Sequence, residues 1–194
     1  MRRMRVLIAA TALSLMLAGC SLLPSRLDAP LATGLAEYVE HFDLTGRISV
    51  RNNERGEFGN LRWIRTAQDE YITLFSPLGQ TLAEISRAQG QEAVLRSGNE
   101  IRRAASLEIL VREILGAEVP IADLAFWIQG KSTLQAEIAA RDSSGRPERL
   151  SYADWQVSIE DYRGIGAAVV AGRISAVKGD TKVKVIIDEW KALP

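Results

Sequence analysis

Residues 106–130 read SLEILVREILGAEVPIADLAFWIQG, a helical interruption in a chain that otherwise carries strand patterns. Leu107, Leu110, Val111, Ile114 and Leu115 recur at three- and four-residue spacing, which predicts a helix with one apolar face. Ser106 suits the cap at its start and Gly116 suits its end. Pro120 then opens a second helix carrying Ile121, Leu124, Ala125 and Ile128, closed by Gly130. Two short helices with apolar faces need a surface to cover, and the flanking strands supply one.

Before the helices, Leu44, Gly46, Ile48 and Val50 alternate with more polar neighbours, Arg51 to Gly56 marks a turn, and Leu61 and Trp63 share one face of the next run. Tyr71 to Phe75 reads as a strand, Ser76-Pro77-Leu78-Gly79 as a turn and Thr81 to Arg87 as the return, a meander of hairpins. After the helices, Leu134, Ala136, Ile138 and Ala140 alternate, and Asp142 to Gly145 make a turn. Leu150 to Tyr152, Trp155 to Tyr162 and Val169 to Val177 continue the pattern, and Val183, Val185 and Ile187 close it after a turn at Lys178-Gly179-Asp180. The expected fold is α+β: a large, strongly curved antiparallel sheet with helices on one face. Leu35, Tyr38, Val39 and Phe42 lie at helical spacing and predict one more short helix before the first strand.

The extreme N-terminus carries Arg2, Arg3 and Arg5, an apolar run from Val6 to Ala18, and then Leu17-Ala18-Gly19-Cys20. The run is too short for a stable membrane-spanning helix and has the layout of a signal peptide. It resembles the lipobox of bacterial lipoproteins; the alternative is an ordinary secretory peptide with a chance cysteine. The resemblance implies diacylglycerol on the Cys20 sulfur, cleavage before Cys20 and acylation of the new amino group. Residues 1–19 would then be the signal peptide, 20–34 a tether bearing Pro and Ser, and 35–194 a single domain. Ser21 stands where Asp retains enterobacterial lipoproteins in the inner membrane, so the resemblance implies an outer-membrane address facing the periplasm.

The chain holds 24 basic and 24 acidic residues; loss of the three arginines leaves 21 against 24, a charge of −3. That balance argues against nucleic acid as a partner and against docking on anionic lipid through overall charge. Cys20 is the one cysteine, so the domain relies on packing and has no disulfide. An enzyme is not expected. His41 is the single histidine and is read as a solvated residue on the polar side of the predicted first helix, without a matched nucleophile. One His and one acylated Cys make no soft-metal cluster. Asp69-Glu70, Glu160-Asp161 and Asp188-Glu189 are adjacent in sequence and read as turn or edge polarity, and Gly164-Ile165-Gly166 lacks a third glycine for phosphate binding. Beyond the covalent lipid no cofactor is expected.

Four tryptophans, Trp63, Trp127, Trp155 and Trp190, are spread over the domain. Composition leaves two readings open, a dry core or the wall of an apolar cleft beneath the helices. In the 76–79 turn Pro77 presets the second position and Gly79 suits the fourth, leaving Leu78 at the tip. An exposed leucine needs no special explanation; inserted into lipid it would gain about 1.5–3 kcal/mol, enough to assist a protein already anchored.

Thr45-Gly46-Arg47-Ile48, Leu61-Arg62-Trp63, Pro77-Leu78-Gly79, Trp127-Ile128-Gln129-Gly130, Trp155-Gln156-Val157 and Ile186-Ile187-Asp188-Glu189-Trp190, in this order behind a lipobox, resemble the LolB family of outer-membrane lipoprotein receptors across nearly the whole domain. The resemblance implies an incompletely closed antiparallel β-barrel with a helical lid over an apolar cavity, for which the four tryptophans are wall candidates. It implies that the loop of Pro77, Leu78 and Gly79 inserts into the membrane through Leu78. The implied partners are a LolA-like periplasmic carrier, the acyl chains of lipoprotein cargo and outer-membrane lipid, with the protein acting as a monomer. Three rivals remain: an anchored scaffold whose tryptophans fill a dry core, a free carrier, which an anchor disfavours, and an unrecognised hydrolase, which the absence of a histidine dyad disfavours.

Overall fold

In the first strand, β1 (Phe42–Asn52), Phe42, Leu44, Ile48 and Val50 are buried while Arg47, Ser49 and Arg51 are exposed, the two-residue alternation of a sheet with one covered face. The alternation recurs in β2 (Arg55–Arg65), β3 (Asp69–Phe75), β4 (Thr81–Ala88) and β5 (Ala93–Ser97), while β6 (Glu100–Ala104) has four exposed residues and no buried one. Two helices follow, α1 (Leu107–Leu115) and α2 (Ile121–Trp127). The chain returns to strands with β7 (Glu137–Arg141), β8 (Pro147–Tyr152), β9 (Trp155–Glu160), a small ribbon of β10 (Arg163–Ile165) and β11 (Ala168–Val170), then β12 (Arg173–Lys178) and β13 (Thr181–Ala192). This computed structural model describes residues 38–53, 55–165 and 168–194, so the expected signal peptide, the tether and Cys20 lie outside the described residues.

Eleven strands form one antiparallel sheet in the order β6-β5-β4-β3-β2-β1-β13-β12-β9-β8-β7. The sheet does not close, since β6 and β7 are its two edges. Charged side chains stand on both, Glu100, Arg102 and Arg103 on one and Glu137 and Arg141 on the other, which discourages pairing with a second chain. Laid flat, such a sheet would be roughly 50 Å wide, whereas α1 and α2 are only about 14 and 11 Å long. Yet Leu95 of β5, Trp63 of β2, Ile159 of β9 and Leu150 of β8 belong to one buried cluster with Leu110 and Leu124 of the helices. The inner face must wrap the helices to achieve this. Gly46 marks a register shift between β1 and β13, and a Cβ there would overlap the carbonyl oxygen of Ile186, so the bulge requires glycine.

Both predicted helices form where their apolar spacing places them, with Ser106 at the first start and Gly116 left-handed at φ 65° at its end. The first helix predicted from Leu35 to Phe42 does not extend into the described residues. Residues 38–41 are not helical, and Phe42 is fully buried as the opening residue of β1. Its apolar neighbours serve tertiary contacts instead: the Tyr38 ring stacks on Phe126 of α2 at 4.3 Å, and the Val39 backbone is held by Gln129. His41 therefore precedes the strand, and its carbonyl accepts a bond from the Leu193 N–H. Leu134 sits fully exposed in a turn, with β7 starting three residues later. The sequence pattern does not reveal strands β5 and β6, because Arg96, Glu100, Arg102 and Arg103 mask the strand signature of an edge hairpin.

One charged group enters the core. Glu70 of β3 is 4 % exposed and accepts bonds from Trp63 Nε1 at 3.0 Å and Arg87 Nη2 at 3.1 Å, with Arg65 Nε at 3.6 Å. Arg65 also donates to the Tyr38 hydroxyl. A buried carboxylate is tolerated only when so compensated. Replacing Glu70 by Ala is expected to lower unfolding free energy in urea by about 2–4 kcal/mol, because the Trp63 indole and two guanidinium groups lose their common acceptor.

Candidate functional site

The apolar faces of α1 and α2 lie against the inner face of the sheet, with α1 over β4, β5 and β6. Between them is a recess walled by Ile48, Leu61, Trp63, Ile72, Leu74 and Ile85 from the strands and Val111, Ile114, Leu115, Ile121 and Leu124 from the helices. No wall residue is polar or titratable, so the recess offers dispersion and burial of apolar surface and no acid–base chemistry. Its free volume is about 20 Å³, room for about one water molecule. The helices fill the space that the strands leave.

Ile114 and Leu115 also border an open hollow of about 870 Å³, lined besides by Asn52, Asn53, Glu57, Glu113 and Gly116. The same two side chains border both spaces and form the partition between them. Asn52 Nδ2, at the tip of the β1–β2 hairpin, donates to the Gly116 carbonyl at 3.2 Å and links the hairpin to the end of α1.

α2 is held more firmly. The Gln129 side chain accepts from the Val39 N–H at 2.7 Å, donates to the Val39 carbonyl at 3.0 Å and donates to the Ala125 carbonyl, imitating a strand partner for Val39. The Ile128 carbonyl accepts from Ala171 N–H, and Gly130, left-handed at φ 63°, presses on the Tyr162 ring where a Cβ would collide. Burial pushes the Asp123 carboxyl of α2 above the ordinary carboxylate range.

The four tryptophans differ in position. Trp63 is on the recess wall, with Phe42 edge-on at 5.2 Å. Trp127, Trp155 and Trp190 are buried but lie off that wall; Trp155 borders a separate outer groove with Glu108, Arg112 and Pro120. Trp127 and Trp190 bury their indole N–H groups without a protein acceptor among the described residues. Pro77, Leu78 and Gly79 form the β3–β4 turn, closed by the Gly79 N–H on the Ser76 carbonyl at 2.9 Å, with Gly79 at φ 83°. Leu78 is 90 % exposed at its tip. The reading of the sequence missed the partition formed by Ile114 and Leu115 and the exposed Phe58 of β2. Phe58 is out of phase with Leu61 and Trp63, so the parity of that strand was the available signal for it.

An open antiparallel sheet with two helices against one face has counterparts among solved structures. The crystal structure of a LolA superfamily protein from Nitrosomonas europaea superposes with a TM-score of 0.51, covering 84% of this chain and 90% of that one at 11% sequence identity. Sequence narrows the class. A model of the family described as "Outer membrane lipoprotein LolB" matches residues 40–190. Outer-membrane lipoprotein LolB of Azoarcus sp. (strain BH72) is 30% identical over 159 residues, 82% of either chain. Its counterpart from Nitrosomonas europaea is 33% identical over 156 residues, 78% of this chain and 73% of that one. The chain belongs to the LolB family of outer membrane lipoproteins. Among the described residues no helix is long and apolar enough to cross a membrane.

If Ile114 and Leu115 separate the recess from the hollow, Ile114→Ala should join the two. The variant is expected to lose about 1–3 kcal/mol of stability and to take up a polarity-sensitive fatty-acid probe faster than the parent, measured by stopped-flow fluorescence.

Proposed function

We propose that this chain is an outer-membrane-anchored receptor, facing the periplasm and held by the lipid on Cys20. It accepts lipoproteins from a soluble LolA-like carrier, shelters their acyl chains between the helices and the sheet, and inserts them into the outer membrane. The observation that carries this reading is the wholly apolar recess around Trp63, which shares Ile114 and Leu115 with an open, partly polar hollow. An acyl chain entering from the hollow would displace these side chains and meet the same kind of surface they had covered. Exchange of one apolar occupant for another has a small net free energy, which suits a protein that must release what it takes up.

No acid–base or metal chemistry is invoked, and the protein is read as a non-enzymatic monomer with no cofactor beyond its covalent lipid. Transfer then runs downhill from carrier to receptor to bilayer, and a bias of ~1.4 kcal/mol at each step makes it tenfold favourable. The moving part is α1, whose described ties at the mouth are two exposed contacts, Asn52 to the Gly116 carbonyl and Arg102 of β6 to Glu113, while α2 is fixed by Gln129 and Ile128. Of the tryptophans, Trp63 is placed to touch cargo, and Trp127, Trp155 and Trp190 support the frame. Leu78, on its closed turn, gives the receptor an apolar contact with the bilayer worth about 1.5–3 kcal/mol.

One observation favours a second reading, an anchored scaffold without a ligand space: the recess holds only about 20 Å³. Reconstituted transfer of a radiolabelled lipoprotein from carrier to receptor to vesicles decides between them. A disulfide joining α1 to β4 should block uptake when oxidised and restore it when reduced. Undiminished uptake in the oxidised form would show that α1 does not open. Leu78→Glu is expected to leave stability within about 0.5 kcal/mol of the parent and cargo uptake intact, while delivery into vesicles falls; equal loss of both steps would remove the loop from the delivery role.

A further inference from the structure

The overall charge of the domain gives no hint of basic surface, but the strand register gathers some on the outer face of the sheet. Arg51 of β1 stands directly opposite Lys182 of β13, and Lys184 lies opposite Ser49 one exposed position further along. Like charges opposite one another destabilise a sheet, and Arg51, Lys182 and Lys184 have no ion-pair partner among the described residues, whereas Asp188 on β13 is held by Arg47 in a two-bond pair. Beside this basic stripe is Phe58, opposite Ser49 on the other flank of β1 and 67 % exposed.

The two features meet in a shallow groove of about 300 Å³ bordered by Ser49, Phe58, Asn60, Pro77, Lys184 and Ile186. Pro77 belongs to the turn that carries Leu78, and Asn60 Nδ2 fastens that turn to β2 through the Ser76 carbonyl at 3.3 Å. An aromatic ring, an aliphatic floor and uncompensated lysines next to a projecting leucine match the layering of a membrane surface, with apolar groups toward the acyl boundary and cations at the phosphates.

We propose that this groove is a docking site for an anionic phospholipid headgroup, with Lys184 and the Arg51–Lys182 rung meeting the phosphate layer while Phe58 and Leu78 enter the acyl boundary. This rests on the reading that the Leu78 turn faces the bilayer and extends it from one residue to a surface that senses lipid charge. The net charge of −3 expected for the mature chain does not oppose it, because fields at a surface are local and are screened within about 8 Å in physiological salt.

The test uses the acyl-anchored full chain carrying Ser49→Cys labelled with a polarity-sensitive fluorophore, in vesicles of phosphatidylethanolamine with or without phosphatidylglycerol. The expected result is a blue shift that needs phosphatidylglycerol and weakens with salt. Lys182→Glu with Lys184→Glu should reduce the affinity for phosphatidylglycerol by more than about fivefold, the worth of roughly one basic side chain at an anionic surface; the milder Lys182→Gln with Lys184→Gln should fall between. A shift equal in both vesicle types, a shift unchanged by charge reversal, or one produced only by adding the carrier protein would overturn the site. Lipoprotein delivery measured on the same vesicles keeps the two ideas apart. Normal delivery without a charge-dependent shift sinks the headgroup site alone, and a charge-dependent shift without delivery sinks the receptor reading while the headgroup site stands.

Discussion

An open sheet of this width has an inner face that must be kept from water, and two short helices are what the chain provides to cover it. Everything else follows from how that cover is held. The apolar stripe of α1 supplies Val111, Ile114 and Leu115 to a wall that Ile48, Leu61, Trp63 and Ile85 complete from the strands. Were the helix absent, several large side chains would face solvent at about 1.5–3 kcal/mol each. Any apolar guest that replaced the helix would restore that burial, so the folded state and a loaded state can lie close in energy.

The polar groups are placed where they limit which parts can move. Glu70 gathers Trp63, Arg65 and Arg87 at the end of the core where Tyr38 also bonds Arg65, and this joins β2, β3 and β4 to the start of the domain. Burial raises the Tyr38 phenol above its ordinary range, so the group stays neutral in the cluster. α2 is sewn to Val39 and Ala171 through Gln129 and Ile128. By contrast, the helix side of the recess, Val111, Ile114 and Leu115, meets the strands through apolar side chains, and the described polar links of α1 at the mouth, from Asn52 to Gly116 and from Arg102 to Glu113, are exposed and exchange readily with water.

Much of this was legible in the sequence. The 106–130 stretch states its own helices because spacing and caps agree, and β1, β3, β9 and β13 announce themselves by alternation with one covered face. Edge strands are harder to read: β6 has Glu100, Arg102 and Arg103 on a five-residue run, and the charges that keep a bare edge from pairing with another chain erase the pattern by which strands are recognised. Tyr38, Val39 and Phe42 misled because helical spacing over eight residues is also what a docked segment entering a strand can show. That Trp63 lines the recess while the other tryptophans do not depends on the strand register and the seating of α2, which no single-residue reading contains. The basic rung of Arg51 and Lys182 likewise exists only once β1 and β13 are paired.

The Gln129 clip on Val39 has a mechanical consequence. A pull applied at Tyr38 and Val39 is borne by the two bonds to the Gln129 amide, by the stacked rings of Tyr38 and Phe126 and by the bond from Arg65 to the Tyr38 hydroxyl. The pull is therefore received by the firmly seated α2 and passed to the frame, and the loosely latched α1 is spared. Such a load would strain the clip without prising open the greasy interior.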